Sequence, residues 1–202
     1  PRMVVCAPGS QAIIQVVPRL IGSTRVAILG PTYAEHAAAW RREGHEVREI
    51  DDLTGADRTS VLVVVNPDNP TGRAAPTSEL RLRASELAKR GGLLVVDEAF
   101  ADMMPPGVSL ASNLPPAMIV LRSFGKFYGL PGTRLSFALA APNIAARLAV
   151  ALGPWPVSSA AIAVGTEALA DADWRQAARK ALAEAAGRLD VLLARAGLAL
   201  IG

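Results

Sequence analysis

Val61-Leu62-Val63-Val64-Val65 runs straight into Asn66-Pro67-Asp68-Asn69-Pro70-Thr71-Gly72. Apolar, mostly β-branched residues without alternation mark a strand covered on both faces, as in the interior of a parallel sheet. Two prolines in the next stretch forbid continuation, so the strand ends in a stiff loop. A second run of this kind, Leu93-Leu94-Val95-Val96, ends directly in Asp97-Glu98. Further strands are expected at residues 3–6, 25–29, 46–50, 118–121 and 135–140. Helical stretches fall between them: residues 10–20 with Ser10 as N-cap, a helix capped by Thr32 and reaching 43, and 78–90 stopped by Gly91-Gly92. The pattern after Pro142 is helical to 195, with an apolar tail at 198–201. Alternating strand and helix around buried strands predicts an α/β fold with a mainly parallel sheet. In such sheets ligands bind beyond the carboxyl ends of the strands, where loops 8–11, 66–72, 97–102 and 123–134 collect the polar residues.

The 202 residues are 51% hydrophobic and 19% charged, which supports a real core and excludes a disordered chain. Net charge is only +3 and no block of five like charges occurs, so neither a nucleic-acid patch nor a membrane surface is expected. No apolar run approaches about 18 residues, so no spanning helix is expected. Cys6 is the single cysteine and fits a reducing compartment. A start at Pro1 without a charged-then-apolar leader points to a cytoplasmic protein. His36 and His45 do not fall into a ligand cluster with Cys6, so no metal site is expected.

Only three of the 21 basic residues are lysines, Lys89, Lys126 and Lys180. Lys126 stands between Phe124 and Phe127-Tyr128, where partial desolvation would lower the amine pKa and make it a nucleophile able to form a Schiff base. The plainer alternative is a lysine at the rim of an aromatic cluster. Asp97, at or near the end of a buried strand, is either a turn aspartate or a carboxylate awaiting a buried cation, such as a protonated pyridine nitrogen. Asn69 presents its amide from the proline-stiffened loop. Gly9-Ser10-Gln11 opens a helix after a strand and suits a phosphate, and Arg134 can add a bidentate fork. Each also has an ordinary reading as turn or surface residue.

Three strings together, Asn66 to Gly72, Asp97-Glu98-Ala99-Phe100, and Ser123-Phe124-Gly125-Lys126 with Arg134, resemble the class I/II aminotransferase group of fold-type I pyridoxal-phosphate enzymes. The resemblance runs from about residue 8 to at least 159. It implies a three-layer α/β large domain at 1–155, with a helical return and the start of a small C-terminal domain at 156–202. It implies pyridoxal 5'-phosphate as cofactor, held covalently by Lys126, which would also shuttle protons. Asp97 would pair with the pyridine nitrogen, Asn69 would donate to the ring 3′ oxygen, and Tyr33 would stack on the ring. Ser10 and Gln11 of the Gly9 turn, with Ser123 and Arg134, would hold the cofactor phosphate. Phe100 departs from the commoner pattern, whose tyrosine hydroxyl also reaches the 3′ oxygen. Asp102, Pro105 and the string Leu121-Arg122-Ser123 with Lys126 to Gly132 are similar to a branch that decarboxylates a phosphorylated amino acid in cobalamin biosynthesis. The near relatives are histidinol-phosphate aminotransferases. A homodimer is implied as well. Members of the group are longer at both ends, and the additional parts supply the arginine for the substrate carboxylate. This chain alone could therefore be inactive, or act only as a cofactor-binding fragment.

Overall fold

Alternate side chains of a strand point to opposite faces, so a strand apolar at every position needs a layer on each side. The computed structural model, which describes residues 2–57, 59–105 and 107–200, has that arrangement. Its strands are β1 (Val4–Ala7), β2 (Arg25–Leu29), β3 (Glu46–Ile50), β4 (Val61–Val65), β5 (Leu93–Asp97), β6 (Met118–Ser123) and β7 (Ser136–Ala140). They form one sheet in the order β1-β7-β6-β5-β4-β2-β3. The pairs from β3 through β6 are parallel. β7 runs antiparallel to both β6 and β1, because loop 124–135 returns the chain without a crossover helix. That reversal makes β7 begin at the edge where the parallel strands end.

The helices are α1 (Ser10–Val16), α2 (Glu35–Arg42), α3 (Thr77–Lys89), α4 (Pro142–Leu152), α5 (Ser159–Ala170) and α6 (Ala172–Arg195). Val61 and Val63 of β4 share a core with Ile13 of α1, Trp40 of α2 and Leu148 of α4. Leu62 and Val64 share the opposite core with Leu80, Ala84 and Leu87 of α3. Each such fully buried valine or leucine contributes about 1.5–3 kcal/mol relative to exposure. The result is the expected helix–sheet–helix sandwich. A third cluster, Phe124, Phe127, Tyr128 and Leu135, lies beyond the sheet edge against α5 and α6. No residue of α6 is buried. No helix among the described residues is long and apolar enough to cross a membrane.

The boundaries correct several expectations. Ser10 is already helical, with Gly9 as N-cap and no side-chain cap bond. Residues 10–20 divide into α1 and a 3-10 turn, Val17–Leu20, where Pro18 has no N–H to continue an α-helix. Thr32 does not cap α2, whose N-cap is Ala34; its hydroxyl donates to Asp68 Oδ1 instead. β5 takes in Asp97, and β6 extends to Ser123. Residue 201, in the expected apolar tail, lies outside the described residues.

Candidate active site

Period-two alternation sorts the rim. On β5, Val95 belongs to the core under α1 and α2, so Asp97 faces that side. The same parity puts Val65, Ser123 and Ser136 beside it, with Val65 opposite Asp97 and Ser123 opposite Ser136 in register. These four residues floor a cavity of about 230 Å³. Gly9, Ser10, Gln11, Tyr33, Asn69, Phe100, Lys126 and Arg134 complete its walls. All the residues singled out in the sequence for a cofactor thus converge on one cavity.

Asp97 is 4% exposed. Its Oδ1 accepts from the Ala99 N–H at 3.0 Å, and its Oδ2 lies 3.0 Å from His36 Nε2. A carboxylate oxygen in that place would accept from an Nε2–H of His36. Among the described residues no lysine or arginine pairs with Asp97. A buried carboxylate without a cation is costly, and this one faces a cavity that can admit a cationic ring nitrogen. Sequence reasoning missed His36, which is 1% exposed. Its signal was its place on the buried face of α2 with Trp40, four positions on; its partner is 61 positions away.

Asn69 projects from a loop braced by more than its prolines. The Asp68 carboxylate accepts from the Thr71 N–H at 3.2 Å and the Thr71 hydroxyl at 2.6 Å, besides Thr32. Asn66 clasps Ala75 in both directions, accepting at 2.8 Å and donating at 3.3 Å. Arg73 Nη2 donates to the Gly30 carbonyl at 2.8 Å, tying this loop to the one before α2.

At the other end, Gly9 has φ 94°, and a Cβ there would collide with the Arg134 guanidinium. Arg134 itself sits in the left-handed region at φ 50°, ψ 39°, a conformation that costs a non-glycine residue about 1–2 kcal/mol. Two unusual backbones therefore hold a guanidinium over the Gly9–Ser10 turn. Ser10 and Ser123 lie on the same wall, and this cradle of fork and hydroxyls suits a phosphate. Of the two readings of Lys126, the structure has the lysine at the rim of an aromatic cluster. It is exposed, while Phe124, Phe127 and Tyr128 turn away into their own buried cluster. The ring near its amine is Phe100, whose centroid lies 5.4 Å from Nζ. Cation, buried anion, amide and phosphate cradle together fit pyridoxal phosphate.

The whole chain, residues 1–202, matches the family Aminotransferase class I and II, and it belongs to that family. Its mixed sheet and helical layers are those of a fold-type I transferase. Among individual relatives, it is 47% identical over 192 residues to a threonine-phosphate decarboxylase of Pseudomonas aeruginosa, covering 94% of this chain and 58% of the relative. It is 43% identical over 199 residues to another from a Sinorhizobium species, covering 96% and 59%. The chain thus spans less than two thirds of the length of either. A histidinol-phosphate aminotransferase from Sinorhizobium meliloti, solved in complex with pyridoxal-5'-phosphate, superposes with a TM-score of 0.81 at 25% identity, over 98% of this chain and 58% of that one.

Proposed function

We propose that this chain belongs to a pyridoxal-phosphate-dependent decarboxylase that converts L-threonine O-3-phosphate to (R)-1-amino-2-propanol phosphate and carbon dioxide. Residues 1–155 would form the cofactor-binding domain and 156–202 the return into a smaller domain. The observation that carries the reading is Asp97, a buried carboxylate with His36 behind it and an open cavity in front. The 47% and 43% identical relatives support the choice of reaction. When bound, pyridoxal phosphate supplies a protonated ring that accepts the electron pair released from the Cα–carboxylate bond.

Asp97 keeps the proton on the ring nitrogen, and His36 fixes the carboxylate's orientation. Lys126 would hold the cofactor through Nζ and would carry the proton returned to the substrate Cα. Asn69 would donate to the ring 3′ oxygen, Phe100 would offer no second donor, and Tyr33 would lie against the ring. Gly9, Ser10, Gln11, Ser123 and Arg134 bind the phosphate. The active form is a homodimer in the cytoplasm. The test adds pyridoxal phosphate to the purified protein and to Lys126→Ala, then supplies L-threonine O-3-phosphate. A Lys126-dependent visible band with release of carbon dioxide is expected. Accumulation of pyridoxamine phosphate and the corresponding ketone from histidinol phosphate, with no carbon dioxide released from L-threonine O-3-phosphate, would overturn the reading.

A further inference from the structure

Helix α6 meets the body of the molecule through its first turns. Trp174 stacks on Tyr128, with ring centroids 5.9 Å apart and planes 16° from parallel. It also meets Phe127 edge-on at 5.5 Å. Tyr128 in turn stacks on Phe124 at 4.3 Å, so Trp174 closes a column of three rings. Arg179 lays its guanidinium over the Phe127 ring at 5.5 Å and donates from Nε to the Asp102 carbonyl at 2.7 Å. Beyond Arg179 the side chains of α6 are nearly all exposed.

These contacts land on two different loops. Phe127 and Tyr128 directly follow Lys126. Asp102 lies in the 3-10 helix Ala101–Met103, for which Phe100 is the N-cap. Lys126 is itself exposed, and its amine approaches Phe100 across the cavity wall. The packing that holds Lys126 in place is therefore beneath it, in the residues that follow, and α6 covers those residues. Aromatic pairs of this geometry add stability beyond their buried area.

We propose that Trp174 and Arg179 are positioning residues: by clamping the Lys126 loop and the Phe100 loop to one helix, they set the Lys126 amine relative to Phe100 and Asp97. The consequence for cofactor rests on the function proposed above, but the clamp itself does not. The test uses both. In the cofactor-free protein, trypsin cuts after exposed Lys126, and local opening controls the rate. Trp174→Ala and Arg179→Met are expected to speed cleavage of the Lys126–Phe127 bond about tenfold, the scale of one such aromatic contact. Cleavage after Arg90, at the far end of α3, should keep its rate, and Trp174→Phe should restore the parent rate at Lys126. Unchanged cleavage at Lys126, or equal acceleration at Arg90, overturns the clamp. Titration with pyridoxal phosphate then reads the positioning role: Trp174→Ala should weaken binding about tenfold and Trp174→Phe should not. Unaltered affinity beside accelerated cleavage overturns positioning. If the parent shows no Lys126-dependent band, the functional reading fails while the proteolysis still decides the clamp.

Discussion

Asp97 and Glu98 are neighbours in the chain, 4% and 0% exposed, yet the two sides of β5 treat them oppositely. Glu98 faces the α3 side, where its carboxylate accepts from Arg122 Nη1 at 3.0 Å, the Leu110 N–H at 2.7 Å and the Ser109 hydroxyl. Arg122 also pairs with Asp102. Burial pulls the Arg122 pKa down, but the Asp102 and Glu98 carboxylates outweigh it and the net shift is upward. Asp97 faces the other side and receives one histidine and one backbone N–H. A carboxylate fully compensated by its own chain belongs to the fold. One that faces a cavity, with no lysine or arginine paired to it among the described residues, is the group the proposed cofactor would meet.

The first way to break this contrast is Asp97→Asn. Turnover with pyridoxal phosphate should fall about 10²–10⁴-fold, the range for a lost proton-holding group. The cofactor-free protein should melt at the same temperature or higher, because an uncompensated buried charge has been removed. A large loss of stability would mean that Asp97 is structural after all. The mirror experiment is Arg122→Met, which strands Glu98 and Asp102. Urea unfolding should show a loss of about 3–5 kcal/mol, as for a broken buried pair, with the Lys126-dependent band retained in the molecules that remain folded.

That contrast also separates what could be read in the sequence from what could not. Val61–Val65 and Leu93–Val96 were legible because unbroken apolar runs have few alternatives to a strand buried on both faces. Gly9, Ser10, Gln11, Asn69, Asp97, Lys126 and Arg134 were legible because each lies at or near the end of a strand where polar residues collect, whereas Tyr33, Phe100 and Ser123 came only with the family resemblance. His36 and the Glu98–Arg122–Ser109 group were not, since each is defined by partners 11 to 61 positions away. Nor could the flanking aromatics of Lys126 be assigned a direction. They read either as its desolvating shell or as a cluster with the lysine at its rim, and they are the second, the root of its loop under α6. The left-handed backbone of Arg134 has no signature in a residue type that normally avoids it.

A smaller effect sharpens the cavity side. Phe100 offers no hydroxyl where Asn69 alone would reach the ring 3′ oxygen. Phe100→Tyr would add a donor that stabilises negative charge on that oxygen, so the pH midpoint of the Lys126-dependent band should fall, by up to about one unit for one such hydrogen bond. An unmoved midpoint would show that residue 100 does not face the 3′ oxygen.

The smallest effect probes the compensated side through Tyr128. Burial first, then the Asp102 carboxylate, raises the Tyr128 phenol above its ordinary value of 10.0, while Arg175 and Arg122 act against them. The folded protein thus holds this proton more tightly than the unfolded chain. Its stabilising contribution is complete below the unfolded value near pH 10 and is lost as pH rises through the higher folded one. Tyr128→Phe should accordingly flatten the alkaline fall in stability. Because Tyr33 is the only other tyrosine, ultraviolet titration in a Tyr33→Phe background isolates the Tyr128 signal. Adding Arg122→Met removes a positive charge that lowers the phenol pKa, so the titration should move further upward. A titration that stays put would mean that the Arg122 charge does not reach the Tyr128 phenol and acts on Glu98 and Asp102 alone. The α3 side would then be a closed set of pairs, and the difference between Asp97 and Glu98 would lie in how completely each side pairs its own carboxylate.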